Sequence, residues 1–144
     1  MSANDSISFQ ICVGVTGHRK LPNPALVEDT VRKAIESEIN RSRIYLVDAL
    51  SVSQVQTHQP VVPTVHLHAL SPLAEGADRL VARIILSYPG AELNVVLPLM
   101  LEDYLQDFES EESRLEFEEL LHLCKSPVIL RRQLIRQESS SLNM

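Results

Sequence analysis

Two hydrophobic periods alternate along the chain. From Phe9 to Val15, positions Phe9, Ile11, Val13 and Val15 share one side and Cys12 and Gly14 the other. Both sides are apolar, so the stretch reads as a buried central strand. Leu21-Pro-Asn-Pro24 is a turn, and Asn23 before Pro24 is a helix start with proline at its first position. Leu26, Val27, Val31, Ala34, Ile35 and Ile39 then follow a helical period, and after a stretch at Asn40–Arg43 where a break is allowed, Leu46, Val47 and Leu50 continue it. Ser53–Pro63 has no periodic face and reads as a surface loop. Thr64–Leu70 is a second strand. Ala74–Tyr88 is an amphipathic helix with Leu80, Val81, Ile84, Ile85 and Leu86 inward, closed by Pro89-Gly90. Glu92–Leu97 is a third buried strand, and Ser110–Cys124 a helix with Leu115, Phe117, Leu120, Leu121 and Cys124 inward. Pro127–Leu130 is a short fourth strand.

The order βαβαβαβ predicts an α/β fold: a Rossmann-like, doubly wound, mostly parallel sheet of about four strands with helices on both faces. The expected domain runs over residues 9–131, with 1–8 and 132–144 as flexible ends. Ligands of such sheets bind beyond the carboxyl ends of the strands. Loops 16–22, 71–76 and 98–108 share that edge.

Composition narrows the function classes. A chain of 144 residues, 44% hydrophobic, suits one domain. No apolar run approaches a membrane span, and residues 1–10 lack the basic and apolar regions of a secretory signal. Cys12 and Cys124 have neither pairing nor ligand spacing, so free core thiols and a cytoplasmic location are expected. A net charge of −6 argues against a nucleic-acid partner. The acid is local: residues 109–119 hold six Glu against one Arg, a solvated helix face or a docking face for a basic partner.

Chemistry concentrates at the strand ends. Thr16-Gly-His-Arg19 offers backbone N–H groups, a hydroxyl, a glycine that admits a ligand, and a guanidinium suited to phosphate. It is neither a dinucleotide fingerprint nor a P-loop, and a tight turn with a solvated arginine is the competing reading. Glu75-Gly-Ala-Asp-Arg79 opens a helix, where free N–H groups favour an anion and Glu75 or Asp78 can accept from ribose; a capping turn with Asp78 and Arg79 as surface charges competes. In the third loop, Pro98 to Phe108, Tyr104 either stacks on a ligand or anchors the loop to the core. His66 and His68 share a strand face and are expected to pack under a helix with satisfied ring nitrogens; no metal site is expected.

Together GVTGHR, SPLAEGADRLVA and LNVVLP followed by EDYLQDF resemble a bacterial branch of the SLOG superfamily. These are Rossmann-like domains related to the DNA-processing protein family and to the LOG phosphoribohydrolases. The resemblance spans about residues 9–130, and SPLAEGADR is its most specific block. It implies binding of a nucleotide or nucleotide-derived ligand, in some members as a sensor; separately, no cofactor is expected. The matching positions are Gly14, Thr16, Gly17, His18 and Arg19, then Glu75, Gly76, Ala77 and Asp78; Pro98 and Tyr104 complete the expected site. The four glycines, at 14, 17, 76 and 90, supply neither the Gly-Gly-Thr-type loop of such relatives nor the LOG Gly-rich motif with its catalytic Glu. A C-terminally truncated member is therefore expected, one that binds rather than catalyses. The alternatives are an N-glycosidic hydrolase using Glu75 or Asp78, and an interaction module that keeps only the fold. An open sheet edge predicts a homo-oligomer or a missing C-terminal partner segment, and no membrane partner is expected.

Overall fold

A computed structural model describes residues 8–52, 63–125 and 127–129. The loop expected at 53–63 and the flexible ends expected at 1–8 and 132–144 lie almost wholly outside them. Strand β1 (Ser8–Gly14), helix α1 (Pro24–Val52), β2 (Thr64–Ser71), α2 (Ala77–Leu86), β3 (Glu92–Leu97), a short α3 (Leu101–Leu105), α4 (Glu111–His122) and β4 (Val128–Ile129) follow in sequence. The four strands form one all-parallel sheet in the order β1-β2-β3-β4. The chain is an α/β protein of Rossmann-like character, as its strand–helix alternation predicts.

Helix α1 starts where expected, with Asn23 Oδ1 accepting from the Leu26 N–H at 3.2 Å, and runs without a break through Asn40–Arg43. Its continuity is local. Arg41 pairs with Glu38 at 2.5 Å, and Ser42 turns inward between Ile35 and Leu46, all three buried. Residues 98–108, expected as a loop, contain α3, which delivers Tyr104 to the core.

The distribution of the helices follows from the strand order. Three crossovers step in one direction, so right-handed connections carry α1, α2 and α4 to one face of the sheet. There Leu67, Ala69, Leu93, Val95 and Leu97 form one core with Ile35, Ile84, Ile85, Phe117 and Leu120. The alternate positions, His66, His68, Leu70, Glu92 and Asn94, face away and stay half-buried or exposed. A covering on both faces and a reversal of strand order are not found among the described residues.

Three expectations are corrected by the same topology, and a fourth on α4. Among the described strands β1 lies at the edge rather than the centre, and Phe9, Gln10 and Cys12 are exposed. Cys12 is thus a free, exposed thiol, while Cys124 is free and half-buried. His66 and His68 do not lie under any of the described helices. His68 Nδ1 is 3.7 Å from Glu92, whose carboxylate Lys125 also engages and holds below its ordinary pKa. Leu115, expected inward, is exposed on α4.

Candidate functional site

The two motifs at the strand ends interlock. The carbonyl of His18 accepts from the Ala77 N–H, the first of α2, at 3.1 Å. A Cβ on Gly17 would stand 2.6 Å from Ala77 Cβ, and one on Gly76 would stand 2.3 Å from the Arg19 carbonyl oxygen and 2.4 Å from that of His18. Gly76 also has φ +82°, which side chains rarely adopt. Both glycines therefore let one loop pack onto the other, which fixes Arg19 relative to the start of α2. One orphan N–H of the helix is satisfied by protein, not left to an anion.

The second loop is strapped from beneath. Leu73 has φ +57° yet is fully buried. For a bulky residue that conformation costs about 1–2 kcal/mol. Ser71 Oγ accepts from the Leu73 N–H at 3.0 Å, and Arg79 Nε donates to the Leu73 carbonyl at 3.0 Å. Arg79 is 2% exposed, not a surface charge. Its Nη1 also reaches Ser113 O and Oγ at 2.9 Å and Glu116 at 3.0 Å, which ties α2 to α4. The guanidinium lies 4.6 Å from the Phe108 ring centre, and its Nη2 is buried without a hydrogen-bond partner among the described residues. Asp78, at 7% exposure, is equally buried. Burial raises its pKa, and a hydrogen bond from the Ala74 backbone opposes the rise.

Above this base a cleft of about 310 Å³ is lined by Arg19, Lys20, Glu75, Arg79, Glu109, Ser110, Ser113 and Glu116. Arg19 and Lys20 are exposed and weakly engaged: Arg19 Nη1 donates to the Asp107 carbonyl at 3.4 Å, and Lys20 stands 3.6 Å from Glu109. Glu75 accepts from Ser113 Oγ. Helix α4 begins at this cleft, with Ser110 Oγ capping the Ser113 N–H at 3.1 Å.

The expected site residues divide. Arg19 and Glu75 share this cleft. Gly17, Gly76 and Ala77 form the joint beneath it, and Asp78 lies buried off its walls. Thr16 and His18 are exposed on the same loop. Gly14 and Thr16 line a different cleft, of about 430 Å³, between β1 and α1. Pro98 is exposed and lines neither of these two clefts. Tyr104 is an anchor: it is buried in edge-on contact with Phe108 at 5.2 Å and Phe117 at 5.8 Å between ring centres. Burial, with Asp78 nearby, raises its pKa. Sequence reading missed Lys20, Glu109, Ser110, Ser113 and Glu116. The one available signal was Ser110, three residues before Ser113 at the head of an apolar helical period, a helix-cap pattern. Among the described residues no group of three or more His, Cys, Asp or Glu side chains could hold a metal ion, and no helix is long and apolar enough to cross a membrane. No protein-family model and no curated protein matches the chain.

Proposed function

We propose that the protein binds a nucleotide or a nucleotide-derived phosphate ligand in the cleft above Arg79. The observation that carries this reading is the shared wall of that cleft. The lightly engaged cations Arg19 and Lys20 stand on the loop that packs on α2, and Glu75 stands on the loop before α2. Arg19 offers paired donors to phosphate. Glu75, already an acceptor for one hydroxyl, accepts from ribose. The volume of about 310 Å³ is at the lower end for ligand pockets and suits a mononucleotide better than a dinucleotide. This is also what the likeness to SLOG domains implies, and a sensing role is consistent with it. Binding without turnover is favoured over N-glycosidic hydrolysis because Asp78, one of the two candidate carboxylates, is buried off the cleft.

Calorimetric titration with AMP, ADP and ADP-ribose, on the wild type, Arg19→Ala and Glu75→Gln, tests the proposal. Each lost charge-assisted bond is worth about 1.5–3 kcal/mol, so each variant should bind roughly tenfold or more weakly. Unchanged affinities in both variants, or no heat with any nucleotide, would overturn it. Release of free base from AMP would move the reading to the hydrolase.

A further inference from the structure

We infer that the β1 edge and the overhanging side of α1 form a two-fold interface with a second copy of this chain. The inference does not depend on the ligand proposal. β1 borders only β2 among the described strands, and its seven residues, SFQICVG, carry no charge and no proline. Natural edge strands usually carry such features to prevent pairing. Beside this edge lies the cleft of about 430 Å³, lined on its floor by Ile11, Val13 and Leu67 and on its roof by Val31, Ala34 and Glu38 of α1. The α1 positions continue as a seam: Val27, Val31, Ala34, Glu38, Arg41 and Tyr45 follow alternating steps of four and three, the spacing of a helix-pairing stripe. Tyr45 at its far end is 68% exposed.

A two-fold axis normal to the sheet joins these features. Pairing β1 with its copy sets the strands about 4.8 Å apart. Helices lying over each β1–β2 pair then stand about two strand spacings apart, roughly 10 Å, which is helix-packing distance. The seam is self-complementary in charge. With the axis between positions 38 and 41, Glu38 of one copy meets Arg41 of the other in both directions, and Ala34 meets Tyr45. A small residue thus faces a large one, and an isologous contact requires this reciprocity.

Sedimentation velocity on the full chain, over a hundredfold concentration range, should show a monomer–dimer equilibrium. Ala34→Arg, at an exposed position, should weaken dimerisation at least tenfold while leaving the circular dichroism spectrum unchanged. Glu38→Arg and Arg41→Glu should each weaken self-association, and a mixture of the two should form heterodimers more readily than either forms homodimers. An intrahelical role for the Glu38–Arg41 pair predicts no such preference. A monomer at every concentration, a dimer indifferent to Ala34→Arg, or a mixture without heterodimer preference would each overturn the interface.

Discussion

Replacing Arg79 by methionine separates a structural arginine from a ligand-binding one. Methionine keeps most of the apolar stem but removes every donor. The Leu73 carbonyl, fully buried, loses its bond from Nε, and Ser113 and Glu116 lose Nη1. A buried acceptor left unpaired costs about 1–3 kcal/mol. The contact with Phe108 adds about 1 kcal/mol. Glu116 is 40% exposed and can turn to water, so its share is small. The sum is about 2–4 kcal/mol. An unfolding entropy of about 2.1 cal/mol/K per residue over 144 residues makes each kcal/mol worth about 3 °C. Arg79→Met should therefore melt about 6–12 °C lower by calorimetry. Arg83 provides the control, since it shares Glu116 as a partner but is 47% exposed. Arg83→Ala should cost under about 1 kcal/mol, or under 3 °C. Equal melting shifts for the two variants would refute the strap, because Glu116 would then be the only contact of consequence.

The joint between the loops makes sharper predictions. Gly76→Ala meets both a positive φ and two carbonyl oxygens, so it should lower stability by about 3 kcal/mol or more in a melt. Gly17→Ala should cost about 1–3 kcal/mol and be rescued by a second change, Ala77→Gly, whereas Gly14→Ala, with nothing within 4 Å, should be silent. Rescue failure in the double mutant would place the Gly17 requirement elsewhere. Asp78 has a folded-state pKa above its unfolded one, because burial disfavours the carboxylate. The folded protein thus holds that proton more tightly, and this contribution is fully present below the unfolded pKa and lost as pH rises through the folded pKa. Asp78→Asn should accordingly gain in melting temperature relative to wild type between pH 4 and pH 7. A constant difference across that range would show that Asp78 ionises without cost.

The elements were legible because their periods are strong. Val81, Ile84 and Ile85 announce α2, and Leu93, Val95 and Leu97 announce β3. That the strand-end motifs meet at one edge followed from strand–helix alternation. The role of the glycines did not, since a glycine that admits a ligand and one that admits another loop look the same in one dimension. Arg79 was also opaque. Its partners are six, thirty-four and thirty-seven residues away, and only the packing of α2 on α4 unites them. Tyr104 had two readings in sequence, and the aromatic contacts with Phe108 and Phe117 assign it to the core.

β1 is the case in which sequence and position disagree most informatively. An edge strand with one solvated side has no physical need for Phe9 and the apolar run Ile11–Gly14, and its exposed apolar atoms forgo burial worth about 25 cal/mol per Å². Pairing on both edges sets the helix-facing Phe9, Ile11 and Val13 beside their counterparts beneath the two α1 helices. In the two-fold arrangement β1 and its copy become the two middle strands of an eight-stranded sheet. The proposed interface would thus place β1 inside the sheet while Gln10, Cys12 and Gly14 stay on its open face.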